Sequence, residues 1–334
     1  MLGTLRFQDP DERYAAVRLC SDLPLKEREF ARENGGWVLH LPETGLARLE
    51  YQLELLDRDG NAEVVCDPGN PQRAPGAFGE KSVLSAPGYR PPAWLDEPGV
   101  AGAVQEATVR VLGRPLDIQI WSPDDGELPL LIAHDGPEYD QLAGLTRYAG
   151  VMIARGALPP FRVALLAPGE RDEWYSASAL YGRALSSRIL PALREKVAVA
   201  GLPVGMGASL GALAMLQAQR TWPGTLAGLF LQSGSFFVPR HDSHESGFPR
   251  YRRITRFVSG VLRSGAAAEP VSTVMTCGIE EENIHNNRLM ASALAAQSYP
   301  VQLHEVADLH NYTGWRDALD PHLTGLLSRL WPAR

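Results

Sequence analysis

The chain has 334 residues, 45% hydrophobic and 21% charged, with 32 Gly and 26 Pro. That is enough apolar material for two cores, and the Gly and Pro content stays below the low-complexity range, so wholesale disorder is excluded. The net charge of −7 excludes a general nucleic-acid binder, because neutralising phosphates needs a basic surface.

The first 98 residues carry net −6 of that charge and read as β structure. Trp37–Leu41 is a short extended run, and Arg48–Leu55 alternates apolar and polar residues, the period of a half-buried strand. Asp57–Asn61 is a turn from which Glu63–Cys66 returns as a hairpin partner. Asp67-Pro68-Gly69-Asn70-Pro71 opens a second loop region, and a Pro-rich stretch from Ala86 to Gly99 reads as a linker. We therefore expect a small β-sandwich over 1–98 and a second domain over 99–334.

Beyond the linker, strands alternate with helices. Strands are expected at 116–121, 128–133, 162–167, 203–206, 228–233, 271–276 and 301–306. Helices are expected at 179–196, 211–220, 283–297 and 315–331. Buried strands alternating with helices imply a mostly parallel sheet covered on both faces. The N-terminal residues carry charges throughout with no apolar core of a secretory signal, and no run approaches the ~18 apolar residues of a membrane span. Three widely spaced cysteines, Cys20, Cys66 and Cys277, form neither a disulfide framework nor a zinc spacing. A cytoplasmic protein with no membrane partner is expected.

The chemistry centres on Gly205-Met206-Gly207-Ala208-Ser209-Leu210-Gly211. It holds Gly-x-Ser-x-Gly between a predicted strand and a predicted helix, the setting of a nucleophile elbow. A serine on such a tight turn stands clear of the sheet, and the glycines two residues either side let strand and helix approach. The helix then aims its N-terminal N–H groups at the reacting oxygen. A serine hydroxyl needs a base, expected as a histidine after the last strand, with an acid between them in chain order. His310 fits, in the loop after 301–306. The acid is sought after the strand ending near Gly278, where Glu280, Glu281 and Glu282 stand in a row. Glu281 is favoured, with Asp308 as the rival. Leu210 supplies the first oxyanion N–H. The second comes from the loop His134-Asp135-Gly136-Pro137-Glu138, and since Pro137 has no N–H the donor is Gly136 or Glu138.

Arg171, Tyr139 and Trp174 are the candidate substrate-binding residues. The competing readings are an Arg171–Glu173 pair that fixes a loop, and aromatics that belong to the core. Residues 240–256 hold five Arg against Asp242 and Glu245 and suggest a lid or pocket wall suited to an anionic substrate, or a solvated helix face whose arginines pair with the acidic first domain. His241-Asp242-Ser243-His244-Glu245 lacks rigid metal-ligand spacing, and no metal or other cofactor is expected.

At these motifs the chain resembles the esterase D family, in its enterochelin-esterase-like branch. The matching stretches include Asp67 to Pro71, His134-Asp135-Gly136, Arg171 to Tyr175, Gly207 to Gly211, Gly278 to Arg288 and His310 to Arg316. The resemblance implies an immunoglobulin-like domain preceding an α/β-hydrolase. It implies metal-free ester hydrolysis through an acyl-enzyme, with Ser209 as nucleophile, His310 as base and Glu281 as acid. Its members cleave siderophore trilactones, small acyl esters or feruloyl esters. The chain departs from the family pattern at Pro137, at Arg188 and at Glu281, where an aspartate is common. Two other functions stay open at this point: acyl transfer to a non-water acceptor, and ligand binding on a hydrolase scaffold. The expected partner is a small-molecule ester, and a homodimer is left open.

Overall fold

In the computed structural model, which describes residues 3–265, 267 and 269–332, the chain forms two compact units. One holds the residues up to Pro91 together with Gly278–Glu282 and Glu305–Gly314. The other holds Pro92–Cys277, Asn283–His304 and the residues from Trp315 onward.

The first unit carries eight strands: β1 (Thr4–Gln8), β2 (Tyr14–Cys20), β3 (Ala31–Glu33), β4 (Gly36–His40), β5 (Arg48–Asp57), β6 (Ala62–Val65), β7 (Arg73–Ala74) and β8 (Lys81–Ser85). They form one antiparallel sheet in the order β1-β4-β3 and another in the order β2-β5-β8-β7, with β6 paired to β5. The alternation read in β5 is borne out. Leu49, Tyr51, Leu53 and Leu55 face one core together with Phe7 of β1, Leu19 of β2 and Leu39 of β4. Leu309 is buried in the same cluster, and Ile279 packs against it. Tyr51 and Asp67 close the Asp67–Pro71 turn: the tyrosine O–H donates to Asp67 Oδ2 at 2.7 Å, and Asp67 Oδ1 accepts the Gly69 N–H.

The second unit is built on an eight-stranded sheet. Its strands are β9 (Ala103–Val111), β10 (Arg114–Ser122), β11 (Leu130–Ala133), β12 (Arg162–Leu166), β13 (Val204–Ala208), β14 (Gly228–Gln232), β15 (Ser272–Gly278) and β16 (Val301–Val306). The order is β16-β15-β14-β13-β11-β12-β10-β9. β9, β10 and β12 pair antiparallel, while β12, β11, β13, β14 and β15 run parallel. The helices are α1 (Gly136–Ala143), α2 (Leu145–Ala154), α3 (Arg171–Trp174), α4 (Ala179–Ala184), α5 (Leu190–Lys196), α6 (Leu210–Thr221), α7 (Tyr251–Arg263), α8 (Ile284–Ala296), α9 (Tyr312–Asp317) and α10 (Thr324–Leu330).

Central strands such as β12, β13 and β14 are buried at every residue, as a sheet covered on both faces requires. The expected mostly parallel α/β sheet is thus present, with β9, α1, α2, α3 and α7 added to the elements read from the sequence. Residues 179–196 form α4 and α5 joined through a π turn at Leu185–Ile189. Among the described residues no helix is long and apolar enough to cross a membrane.

Candidate active site

β13 ends at Ala208 and α6 starts at Leu210, so Ser209 is the single residue between strand and helix. Its backbone takes φ 55° and ψ −123°, a region that non-glycine residues enter only where the surroundings compel it. The compulsion is visible. The Ser209 N–H donates to the Gln232 carbonyl at 2.9 Å, and the Ser209 carbonyl accepts from Ser235 and Leu213. Gly207 is obligatory for the turn, since a Cβ there would stand 2.5 Å from the Gly211 carbonyl carbon. At Gly211 a Cβ would meet His134 Cβ at 3.1 Å, a milder conflict. Leu210 opens the helix, whose first N–H groups have no intrahelical acceptor.

The sequence reading missed Ser235, whose Oγ lies 3.0 Å from Ser209 Oγ. It also missed what holds that neighbour. The Asn287 amide, on α8, donates to the Gly234 carbonyl while its oxygen accepts the Gly234 N–H, both at 3.0 Å. Gln232 anchors the same strand end: it accepts from the Tyr139 O–H at 2.8 Å and donates to Thr276 and to the Trp315 carbonyl. The run Gln232-Ser233-Gly234-Ser235 at a parallel strand's C-terminal end was the available signal.

The loop after β11 lies against the elbow. Asp135 adopts a left-handed φ of 49°, and Gly136 presses so tightly on β12 that a Cβ would sit 2.3 Å from Leu165 Cα. His134 is fully buried between two contacts, Gly211 O at 3.0 Å from Nδ1 and the Tyr181 hydroxyl at 2.8 Å from Nε2. A carbonyl only accepts, so Nδ1 carries the proton and Nε2 accepts from Tyr181. Burial drives the pKa of His134 down to about 4. The ring is neutral at physiological pH and serves to tie the loop to the first turn of α6. In α1 the Tyr139 N–H is taken by the Asp135 carbonyl. The N–H groups of Gly136 and Glu138 are the ones that helix geometry leaves open.

Arg171, Tyr139 and Trp174 have structural partners. The Arg171 guanidinium grips both oxygens of Asp135 at 2.9 Å each. It is not paired with Glu173, contrary to expectation, because Glu173 turns to Arg250 and Arg253. Tyr139 and Trp174 are buried, Tyr139 on Gln232 and Trp174 stacked on Tyr181. The segment 240–256 holds the start of α7, which buries Ile254, Val258 and Val261 on one face. Its Arg250 and Arg253 bind Glu173 of α3, in the same unit. Asp242 is buried, accepting from the Val238 N–H and the Asn286 amide. Arg240, His241, His285, Arg288, Leu289 and Ser292 line a surface pocket of about 300 Å³.

In the first unit the structure brings Glu281 and His310 together. His310 Nδ1 lies 2.9 Å from Glu281 Oε2, and the other oxygen, Oε1, accepts the Gly278 N–H at 2.8 Å. Glu281 is buried while its neighbour Glu282 is exposed. Burial alone lowers the His310 pKa. The hydrogen bond and charge of Glu281, with the charges of Asp22 and Glu282, outweigh it and hold the pKa above the ordinary value. The rival acid, Asp308, faces Arg48, with Oδ2 2.7 Å from Nε.

No protein-family model and no curated protein matches the sequence. Solved structures do match in fold. The ferric enterobactin esterase from Salmonella typhimurium superposes with a TM-score of 0.81 at 19% identity, over 99% of this chain and 94% of that one. The enterobactin esterase from Shigella flexneri, crystallised in the presence of enterobactin, gives 0.75 at 21% identity over 98% and 92%. The feruloyl esterase module from Clostridium thermocellum gives 0.51 at 13% identity over 74% and 96%. The resemblance read from the motifs is borne out at this level: the chain has an α/β-hydrolase-like fold, shared along nearly its whole length with enterobactin esterases.

Proposed function

We propose that this protein is a carboxylic ester hydrolase that works through a serine acyl-enzyme, with Ser209 as nucleophile, His310 as base and Glu281 as acid. One observation carries the reading: Ser209 sits alone between β13 and α6 at φ 55°, braced by Gly207 and the Gln232 carbonyl. A strained backbone of this kind at a strand–helix junction is what a nucleophile elbow demands. The 2.9 Å Glu281–His310 contact supports the base and acid assignments, as does the chain order of serine, acid, histidine. The elevated basicity of His310 suits proton abstraction.

In this mechanism Ser209 Oγ attacks the ester carbonyl carbon and gives its proton to His310. Glu281 holds the imidazole and stabilises the cation that forms. The N–H of Leu210, with that of Gly136 or Glu138, receives the oxyanion. The tetrahedral species collapses, His310 protonates the departing alcohol, and water then releases the acid by the same route. The chain's likeness to enterobactin esterases extends the proposal to siderophore-type esters, and the basic pocket lined by Arg240, His241, His285 and Arg288 suits an anionic ligand. We read the first unit, with two antiparallel sheets over one core, as an immunoglobulin-like sandwich.

The test is turnover of p-nitrophenyl esters from C2 to C12, run beside Ser209→Ala and beside fluorophosphonate labelling. Wild type is expected to turn over and to label at Ser209, and the variant to lose about 10,000-fold or more in kcat. Equal turnover by wild type and variant overturns the proposal.

A further inference from the structure

We propose that Arg48, on β5, is a positioning residue for His310, its guanidinium fixing the 308–311 loop so that the imidazole meets Glu281. The inference rests on the reading of His310 as the general base.

Arg48 is one of the largest fully buried side chains, 1% exposed. Burying a guanidinium is costly unless its charge and its donors are matched. Here they are. Nε donates to Asp308 Oδ2 at 2.7 Å and Nη2 to Glu50 Oε1 at 2.7 Å, with Nη2 also reaching the Asn311 side-chain oxygen. Asp308 and Asn311 bracket His310 in the chain, so one rigid fork grips the loop on both sides of the imidazole. The loop then closes on itself. Asp308 Oδ1 accepts from the Leu309 N–H and the Asn311 amide, and Asn311 Oδ1 accepts the Gly314 N–H, all at 2.8 Å. The Ala47 N–H donates to the Ala307 carbonyl at 2.7 Å, and Leu309 is sunk in the core beside Leu49.

The same loop sets the acid. A Cβ at Gly278 would lie 2.2 Å from the Asp308 carbonyl oxygen, so the backbones of the two loops are in contact. Gly278 is the residue whose N–H holds Glu281. A displaced Asp308 therefore moves both members of the histidine–carboxylate pair. Glu281, Asp22 and Glu282 raise the basicity of His310, and Arg48 grips the residues on either side of it in the loop.

The experiment compares Arg48→Lys with wild type by NMR titration of the His310 imidazole and by ester turnover. Lysine keeps the charge but cannot fork to Asp308, Glu50 and Asn311 together. The expected result is a His310 titration midpoint shifted down toward the ordinary histidine value, with kcat lowered about 10- to 100-fold and KM within about twofold. Asn311→Ala, which removes one arm without altering charge, is expected to shift the midpoint in the same direction by less. Val17→Ala, in the same core, is the control for lost stability and leaves both readouts in place. An unmoved midpoint in Arg48→Lys and Asn311→Ala overturns the proposal. The titration decides on Arg48 whether or not wild type hydrolyses esters; absence of Ser209-dependent turnover in wild type overturns the esterase reading alone.

Discussion

Ser209 sits on a turn shaped by Gly207 and Gly211, two residues away on either side, whereas His310 rides on a loop held by an arginine 260 positions earlier in the chain. The supports also differ in kind. Around the elbow they are neutral: the Gln232 carbonyl, the Ser235 hydroxyl, the Asn287 amide and an uncharged His134. Around His310, the proposed base, they are ionic: Arg48 against Glu50 and Asp308, and His310 against Glu281. A nucleophile needs one strained backbone angle, which close packing can impose. A base needs a set basicity and a set orientation, which take charges, and the charges come from three separate stretches of chain.

That contrast yields graded expectations. Removing either proposed reacting group, by Ser209→Ala or His310→Ala, is expected to cost about 10,000-fold or more in kcat, and combining the two to cost no more than the worse single change. Additive losses in single-turnover measurements would mean that the two groups do not act as one unit. Glu281→Gln is expected to cost about 1,000- to 10,000-fold. It also carries a direction in pH. A base works when deprotonated, so a raised His310 pKa puts the acid limb of kcat/KM above the ordinary value near ~6.5. Taking away the Glu281 charge lets that limb slide to lower pH. A limb that stays in place would detach Glu281 from the base.

At the elbow the damage should follow sterics instead. Gly207→Ala drives a Cβ to within 2.5 Å of backbone that has no room to retreat, while Gly211→Ala meets His134 Cβ at 3.1 Å. The first is expected to lower kcat by about 100-fold, since small displacements of a nucleophile are costly, and the second by clearly less. Both should leave the acid limb untouched, because neither alters a charge near His310. Steady-state kinetics on the two variants, across pH, separates a steric fault from an electrostatic one.

The same contrast explains what could be read from the sequence. Ser209 was legible because a turn's requirements fall within a few residues of one another. His310 was chosen as candidate base from its place after β16, and the candidate acid from the run of Glu280, Glu281 and Glu282 after β15, of which Glu281 was favoured. Arg48 was not legible. Nothing near it in the sequence distinguishes it from any arginine at the start of a half-buried strand, and the partners that tie it to the His310 loop, Asp308 and Asn311, lie some two hundred and sixty residues away. Residues 240–256 were read as a lid or a solvated helix face, and the helix Tyr251–Arg263 was not drawn although Ile254, Val258 and Val261 recur at helical spacing; the five arginines over 240–256 masked the apolar stripe. An Arg171–Glu173 pair fixing a loop was one of the readings, but on a short helix residues two apart do not face each other. Arg171 points to Asp135 and Glu173 to α7.

The smallest expected effect tests whether the neutral character of the elbow's supports matters. His134 is fully buried, with a pKa near 4 against about 6.5 when unfolded. Between those values the unfolded chain binds a proton that the folded chain refuses, so stability falls as pH drops through that window and is fully retained above it. The shift corresponds to about 3 kcal/mol at most, at 1.36 kcal/mol per pKa unit. Glutamine at this position keeps a donor for the Gly211 carbonyl and an acceptor for the Tyr181 hydroxyl but does not titrate. His134→Gln is therefore expected to lie close to wild type in stability at pH 7.5 and to lose less of it between pH 6.5 and 4. The remaining slope includes His322, whose pKa burial also lowers to about 4. Urea unfolding at a series of pH values reads the difference directly. Parallel curves for the two proteins would mean that the loop beside the elbow takes up a proton without letting go of α6, and that its neutrality plays no part in holding the nucleophile.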